Sequence, residues 1–402
     1  MHILFIPSWY PVSRSDVGGS FFREQAQALH KQGCQVGVIY PHFSSLRNGI
    51  FAKEKHGIPE FEIDEGVLTY RSYGKNWFPR FPVGIKKLWE YFGTQLFEKY
   101  IRTHGLPEIV HVHSMLYAGV VALRVKSRYG IPYVVTEHSS AFARGGVTNS
   151  SLRIAEKIQH GAARAFSVSK SFSINLDKRL PRGDVPWGVV PNIVSQKFVD
   201  APIRKIKDSQ GFVFLNIALM NKNKNQKNII KAFAKYFLES AHVSLVIGGH
   251  GNEMNALKAL AKNLGVAARV KFPGMLSRSQ VLEAMSTADA FILSSDYETF
   301  GVVLVEALAL GKPVIATRCG GPQSIVEEGD GILVDVDDVD ELGRAMVRLN
   351  TEYSVFNPHE IRARCIERYS EPVIAESLIK TYASVISKDP NSSRSLNELS
   401  VA

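Results

Sequence analysis

Two carboxylates stand eight positions apart in DYETFGVVLVEALALGKP, residues 296–313: Glu298 and Glu306. The run AFILSS precedes this stretch and VIATRCGG follows it. AFILSS reads as a buried strand, so DYETF is the loop at its carboxyl end, where open α/β sheets bind ligands. Gly301 then starts a helix, which Gly311, Lys312 and Pro313 stop. The first N–H groups of such a helix, around Phe300, Gly301 and Val302, lack intrahelical acceptors and attract an anion such as a phosphate. Gly301 carries no side chain to hold a ligand off the backbone.

Glu306 lies five residues further on, about 7 Å along the helix axis. Its side chain leans back toward the helix start. Val302, Val303, Leu304, Val305, Leu308 and Leu310 leave this helix no polar face, so a buried Glu306 needs a partner. Two neighbouring ribose hydroxyls suit a carboxylate one turn behind a phosphate. Glu298, ahead of the phosphate, stands where a transferred group would lie. In VGGS, Gly18, Gly19 and Ser20 form a second turn before a helix, able to approach a phosphate by the same physics.

The elements that must position these residues are legible as alternation. HILFIP, QVGVIY, IVHVHS, YVVTEH, AFSVS and GVVP read as strands in the first half, with FFREQAQALHKQG a helix between the first two. FVFLNIA, VSLVIGG, RVKFPG, AFILSS, PVIAT and GILVD read as strands in the second, separated by helices such as NQKNIIKAFAKYF and SQVLEAMSTA. Two consecutive βαβα series imply two doubly wound parallel sheets. The break lies near KFVDAPIRKIKDSQG, which predicts domains at 1–200 and 201–370. PVIAESLIKTYASVI is an amphipathic helix within 371–388, and residues 389–402 form a polar tail expected to be disordered.

At 402 residues the chain is long enough for two cores. No apolar run approaches the roughly 20 residues of a membrane span. MHILFIP is too short in apolar residues for a signal peptide and reads as a buried strand. Three scattered cysteines, Cys34, Cys319 and Cys365, suggest neither a disulfide framework nor a metal cage, and point to a reducing cytoplasm. The net charge of +10 is confined to residues 1–200, while the second half is neutral. The first half therefore faces something anionic. Residues 77–101, WFPRFPVGIKKLWEYFGTQLFEKYI, are aromatic and basic. Ile85, Leu88, Trp89, Phe92, Leu96 and Phe97 share one face, as in a core-facing helix or a membrane-surface element.

The pattern Glu298-x7-Glu306, with Phe300-Gly301 between and GKPVIATRCGG after, resembles the retaining glycosyltransferases of family 4, which have the GT-B fold. The resemblance covers most of the chain and is strongest over 213–335. It implies two Rossmann-like domains with parallel sheets facing across a cleft, the second holding a nucleotide-sugar and the first receiving the acceptor. The last helix then crosses back to the first domain. Glu306 would hold the ribose hydroxyls and Glu298 the donor sugar. Lys224, in NKNKNQKNIIKAF, falls on the family's diphosphate-binding Lys, but the usual Arg falls at Leu219, where Lys222 is the available substitute. VIGGHGNE resembles the family's Gly-rich loop through Gly249, and RVKFPGML its base-packing segment through Gly274 and Met275. In HVHS the resemblance places His113 near the anomeric carbon and the leaving phosphate, with His111 structural. His138 and Arg144, in TEHSSAFARG, would line the acceptor side.

The resemblance implies transfer of a sugar from a nucleotide-sugar to an acceptor hydroxyl with retention, by front-side attack and without a metal or other cofactor. The acceptor would be a saccharide or a polyprenyl-diphosphate-linked one, for cell-surface polysaccharide or lipopolysaccharide. The basic half adds an anionic membrane surface as a partner, with the protein peripheral at the inner face of the cell membrane; nucleic acid is not expected. DVDDVD, 335–340, contains Asp-x-Asp, but helix capping and first-turn acids account for it better than a metal. Two alternatives are another GT-B chemistry, phosphorylase or epimerase, and a catalytically weak, membrane-associated binding subunit of a polysaccharide assembly complex.

Overall fold

The structure, a computed structural model, describes residues 1–13, 16, 18–45, 59–78, 81–203 and 211–388. The expected disordered tail, 389–402, lies outside the described residues. In chain order the elements begin β1 (His2–Pro7), α1 (Ser20–Lys31), β2 (Gln35–Ser44), β3 (Glu60–Asp64), β4 (Val67–Lys75), α2 (Pro82–His104), β5 (Ile109–His113) and α3 (Met115–Tyr129). They continue with β6 (Tyr133–Glu137), α4 (Asn149–Gly161), β7 (Arg164–Ser167), α5 (Lys170–Arg179), β8 (Gly188–Val189) and α6 (Gln196–Asp200). Then come β9 (Phe212–Ile217), α7 (Gln226–Phe237), β10 (Val243–Gly248), α8 (Met254–Asn263), β11 (Val270–Gly274), α9 (Arg278–Thr287) and β12 (Ala290–Leu293). The chain closes with α10 (Val302–Ala309), β13 (Val314–Thr317), β14 (Gly331–Val334), α11 (Val339–Thr351), α12 (Pro358–Tyr369) and α13 (Glu371–Ile386).

Two compact units result, 1–191 with 371–402, and 192–370. The seam falls at Pro191–Asn192 rather than near 200, because the connecting segment is tied to the second unit. Val194 N–H donates to Tyr369 O at 2.9 Å, and Arg362 Nη2 to Ala201 O at 2.5 Å. Helix α13 belongs to the first unit, where Lys31 pairs with Glu371 at 2.6 Å and Tyr382 reaches His111 at 2.6 Å.

The first unit holds an eight-stranded sheet in the order β3-β4-β2-β1-β5-β6-β7-β8. Strands β1 and β5 are Val/Ile-rich and almost wholly buried, as sheets covered on both faces require. Strands β3 and β4 are absent from the sequence expectation, and β3 runs antiparallel to β4. The reason is physical: GluPheGluIleAsp is an exposed edge, with Phe61 and Ile63 open to solvent, so it lacks the apolar run that marks a buried strand. Glu65 and Gly66, both at positive φ, turn the hairpin.

The second unit is a six-stranded parallel sheet in the order β11-β10-β9-β12-β13-β14. In each sheet the winding reverses once, between β1 and β5 and between β9 and β12. Those reversals open the crevices in which doubly wound folds hold ligands. The loops after β9 and β12 carry Lys224 and Glu298. The loop after β1 carries Gly18 and Gly19, and β5 ends in His113.

Candidate functional site

Phe300 is buried, edge-on to the Tyr369 ring at 5.7 Å, and this fixes the turn into α10. Gly301 has φ 110°, a left-handed conformation that favours glycine. Among the described residues no acceptor takes the N–H groups of Phe300, Gly301 or Val302. A helix of eight residues, apolar but for Glu306 and with no charge in its first turn, thus presents its positive end at the sheet's switch point.

Glu306 is 1% exposed, on the buried side of α10. Its partner is Arg278, at the start of α9, with Nη1 2.5 Å from Oε1. The Arg278 guanidinium also lies 4.7 Å from the Phe198 ring centroid, which orients it by a cation–π contact. Burial pushes the Glu306 carboxyl above its ordinary range, and the neighbouring Arg278 charge pulls it part of the way back. A buried carboxylate on an apolar helix requires a partner, and that partner, Arg278, comes from a different helix, 28 positions earlier. The signal was present: SerArgSerGln forms a capping box, Ser277 with Gln280, which sets Arg278 at the first helical position.

Lys224 and Glu298, 74 positions apart, form an ion pair, and Ser295 Oγ donates to the same Glu298 oxygen at 2.8 Å. Their two loops are stitched along their length. Asp296 N–H donates to Asn223 O at 2.8 Å, Ser294 Oγ to Lys224 O at 2.8 Å, and Asn223 Nδ2 to Tyr297 O at 3.0 Å. Asn225 is held at φ 50° while its amide reaches Asp296 Oδ1 at 2.8 Å. The backbone of Glu298 is bridged to Gly320. Both charges therefore stand on fixed backbone, which lowers the reorganisation a bound diphosphate would demand.

Lys222 is exposed on the same short turn, and Leu219, at the position of the expected Arg, is 59% exposed. Gly249 has φ 125°, and a Cβ there would stand 1.9 Å from Ala218 O. Its glycine is dictated by backbone packing: Ala218 N–H bonds Gly248 O, Met220 N–H bonds His250 O, and Gly249 N–H bonds Gly274 O. Gly274, at φ 83°, faces open space, and Met275 is exposed beside it.

In the first unit, Gly19 (φ 80°) caps α1, and Gly18 N–H is already taken by Asp16 Oδ1 at 2.9 Å. His111 and His113 point to one face of β5, their rings 4.0 Å apart. His111 is satisfied by Tyr382 and, at 2.8 Å, Thr136 Oγ1, which makes it structural. His113 is fully buried among the rings of Phe5, Phe22 and His138. Its Nδ1 meets His138 Nε2 at 3.2 Å, and its Nε2 has no partner among the described residues. Burial, reinforced by both neighbouring imidazoles, holds His113 well below its ordinary pKa. Glu137 sits beneath, accepting N–H groups of Met115, His138 and Ser139 at 2.7–2.9 Å. Arg144 is exposed on the following loop.

Two family descriptions match this chain: Glycosyltransferase Family 4 over residues 18–197 and Glycosyl transferases group 1 over residues 201–370. The chain is a glycosyltransferase of the GT-B type. It is 25% identical over 381 residues to an uncharacterized glycosyltransferase of Methanocaldococcus jannaschii, covering 88% of this chain and 93% of that one. It is also 25% identical to the putative teichuronic acid biosynthesis glycosyltransferase TuaC of Bacillus subtilis, covering 88% and 90%. The crystal structure of Anabaena HepE in complex with UDP superposes with a TM-score of 0.71 over 96% of this chain and all of that one, at 18% identity.

In this glycosyltransferase the DVDDVD segment is fully engaged elsewhere. Asp338 caps α11 through Glu341 N–H at 2.7 Å, and Asp340 pairs with Lys235 at 2.5 Å. Asp335 pairs with Arg318 at 2.8 Å. Asp337 takes the Asn228 amide at 2.8 Å, which ties this loop to α7 just behind Lys224.

Proposed function

We propose that this glycosyltransferase moves a sugar from a nucleoside-diphosphate sugar to an acceptor hydroxyl with retention at the anomeric carbon, in the synthesis of a cell-surface glycan. The observation that carries this reading is the arrangement around α10. Unpartnered N–H groups, Lys224 and Glu298 lie ahead of the helix, and the buried Glu306–Arg278 pair lies one turn behind. The diphosphate takes the N–H groups of Gly301 and Val302 and the Lys224 ammonium, with Lys222 in place of the missing Arg. Glu306 accepts from ribose, Glu298 from the sugar's hydroxyls, and backbone near Gly249, Gly274 and Met275 packs the base. The anomeric C–O bond breaks with its electron pair passing to the diphosphate, while the acceptor oxygen bonds the same carbon from the same face. The acceptor proton goes to the leaving phosphate. Lysine ammonium and helix N–H groups stabilise the charge that develops there, so no metal is required. His113, Gly18, Gly19, His138 and Arg144 belong to the same proposal through the resemblance. A lipid-linked saccharide as acceptor fits the basic first half. TuaC, named for teichuronic acid biosynthesis, and HepE, solved with UDP, support the glycan and nucleotide classes.

Thermal shifts across nucleoside diphosphates identify the base, since a ligand of the folded state raises Tm. Incubation with the matching sugar donor should then release nucleoside diphosphate only when an acceptor is added, with undiminished rate in chelator and an axial or equatorial product configuration equal to that of the donor. Inverted product sinks the retaining reading. Exposed Leu219 in place of a cation favours one second reading, a binding subunit of low turnover. Tight nucleotide binding without release on any saccharide or lipid-linked acceptor would establish it.

A further inference from the structure

Helices α2, α3 and α4 lock together where Gly93 meets Val121 and Gly119 meets Ile158, contacts too close for a larger residue. Beside these contacts lies a groove of about 380 Å³. Its floor is apolar, from residues such as Val120, Leu123 and Ile154, and its charged lining is Lys86, Lys87, Arg124 and Lys157 against the single acid Glu90. None of those four cations, of which only Lys86 is buried, forms an ion pair among the described residues, whereas buried Asp64, Glu306 and Asp330 do. Lys86 is the unusual one. It is 5% exposed, and its Nζ donates to the Ser151 hydroxyl at 2.9 Å, with no carboxylate in ion-pair contact among the described residues. A buried ammonium without countercharge is costly, and a bound anion would relieve it. Desolvation accordingly lowers its pKa.

The rim of the groove is oily. Val83, Lys87 and Tyr91 recur every fourth residue along one stripe of α2, and Val83 and Tyr91 are more than half exposed. Trp77 and Phe81, just before the helix, are 58% and 69% exposed, and Phe78 is anchored against Gly84. The inner face expected from the sequence is present too, with Ile85, Trp89, Leu96 and Phe97 buried. The helix is therefore amphipathic with both faces apolar in part, and the outer one mixes aromatics with lysines. Such a mixture suits a membrane interface, where aromatic rings sit at headgroup level and lysines meet lipid phosphates. No helix among the described residues is long and apolar enough to cross a membrane.

We propose that this face of the first unit docks on an anionic lipid bilayer, and that the groove seats one phospholipid headgroup phosphate, with Lys86 beneath it and Lys87, Arg124 and Lys157 around it. Trp77, Phe81 and Tyr91 insert beside it. The site lies on elements that carry none of the donor-binding residues, so it stands or falls apart from the transfer reaction.

The test is co-sedimentation of the full chain with vesicles of phosphatidylcholine, with and without phosphatidylglycerol, at low and high salt. Nucleoside diphosphate thermal shifts on every variant confirm that it is folded. The wild type should bind phosphatidylglycerol vesicles, release in salt, and ignore pure phosphatidylcholine. Each lysine near an anionic surface is worth about fivefold in partitioning, so K87Q/K157Q should lose roughly 25-fold. W77S/F81S should weaken the low-salt binding to phosphatidylglycerol vesicles. Lys86→Met, which removes a buried charge and leaves the surface unchanged, should weaken binding about fivefold. Equal binding to both vesicle types, or unaltered binding by K87Q/K157Q, overturns the docking face. Unaltered binding by Lys86→Met overturns the headgroup seat. Full competition by soluble glycerol 3-phosphate would assign the groove to a free phosphate and also overturn the membrane proposal.

Discussion

Glu306 and Asp330, buried in the second unit, each have an arginine beside them, Arg278 and Arg364, and Glu298 has Lys224. In the first unit some buried charges are paired in the same way, Asp64 with Arg23, Arg71 with Glu62 and Glu371 with Lys31, and others are handled otherwise. Glu137 is held by three backbone N–H groups, His111 and His113 are kept neutral by burial, and Lys86 meets a serine hydroxyl. The totals agree, since the first half of the sequence carries the whole net charge of +10. Two sheets of the same winding therefore differ in how part of their buried charge is met. The second unit is a neutralised, prearranged bed for a ligand that carries its own charge in a defined place. The first holds cationic groups whose countercharge the chain does not supply.

The largest expected effect breaks the second unit's pairing. Arg278→Ala leaves Glu306 buried beside no cation and should cost about 3 kcal/mol, the lower end for a split buried pair because Arg278 is itself partly exposed. Urea midpoints at constant m measure this, and Glu306→Leu/Arg278→Met should recover most of the loss. If the single variant is as stable as wild type, the pair is not the internal neutraliser described above.

Lys224→Ala should lower turnover about 100-fold, the scale of removing one donor from a developing oxyanion, with stability changed by less than about 1 kcal/mol. Steady-state kinetics beside a melting curve separate the two. Equal loss of stability and activity would reduce Lys224 to a scaffold residue.

Two buried groups, one in each unit, should also differ in the sign of their pH dependence. His111, with its pKa depressed to about 3 from 6.5, binds its proton more readily unfolded, so its contribution to stability falls as pH drops below 6.5 toward 3. Glu306, with its pKa raised, binds its proton more readily folded, so its contribution falls as pH rises above the ordinary carboxylate range. His111→Asn should flatten the acid limb of urea midpoints plotted against pH, and Glu306→Gln the opposite limb. Identical profiles for both variants would erase the contrast.

Gly301→Ala is the mildest case. A Cβ there meets Leu304 only at 3.4 Å, so the cost should be the left-handed backbone alone, about 1–2 kcal/mol, with weaker nucleotide binding as the readout. Gly249→Ala, which drives a Cβ into Ala218 O, should cost more; the reverse order would mean that the 218–220 loop yields easily.

Strands β1, β2 and β5 to β14 were legible because short apolar runs, most of them rich in Val and Ile and alternating with helix-period segments, admit few other conformations. So were the turn at Gly301 and the need of Glu306 for a partner, since an apolar helix has nowhere else to put a carboxylate. The hairpin β3–β4 was not, because β3 is an exposed edge and β4, though buried, is built from residues such as Thr69, Arg71, Ser72 and Lys75 that form no apolar run. Nor was Arg278 as the partner, which lies on another helix whose approach is set by Phe198 and the packing of α9. The unpaired state of Lys86 was equally hidden. Local sequence determines which groups are charged and which backbone ends are bare, because those depend on a few neighbouring residues. Which charge stands beside which depends on loops meeting over tens of positions, as Lys224 and Glu298 do, and only the folded sheet brings them together.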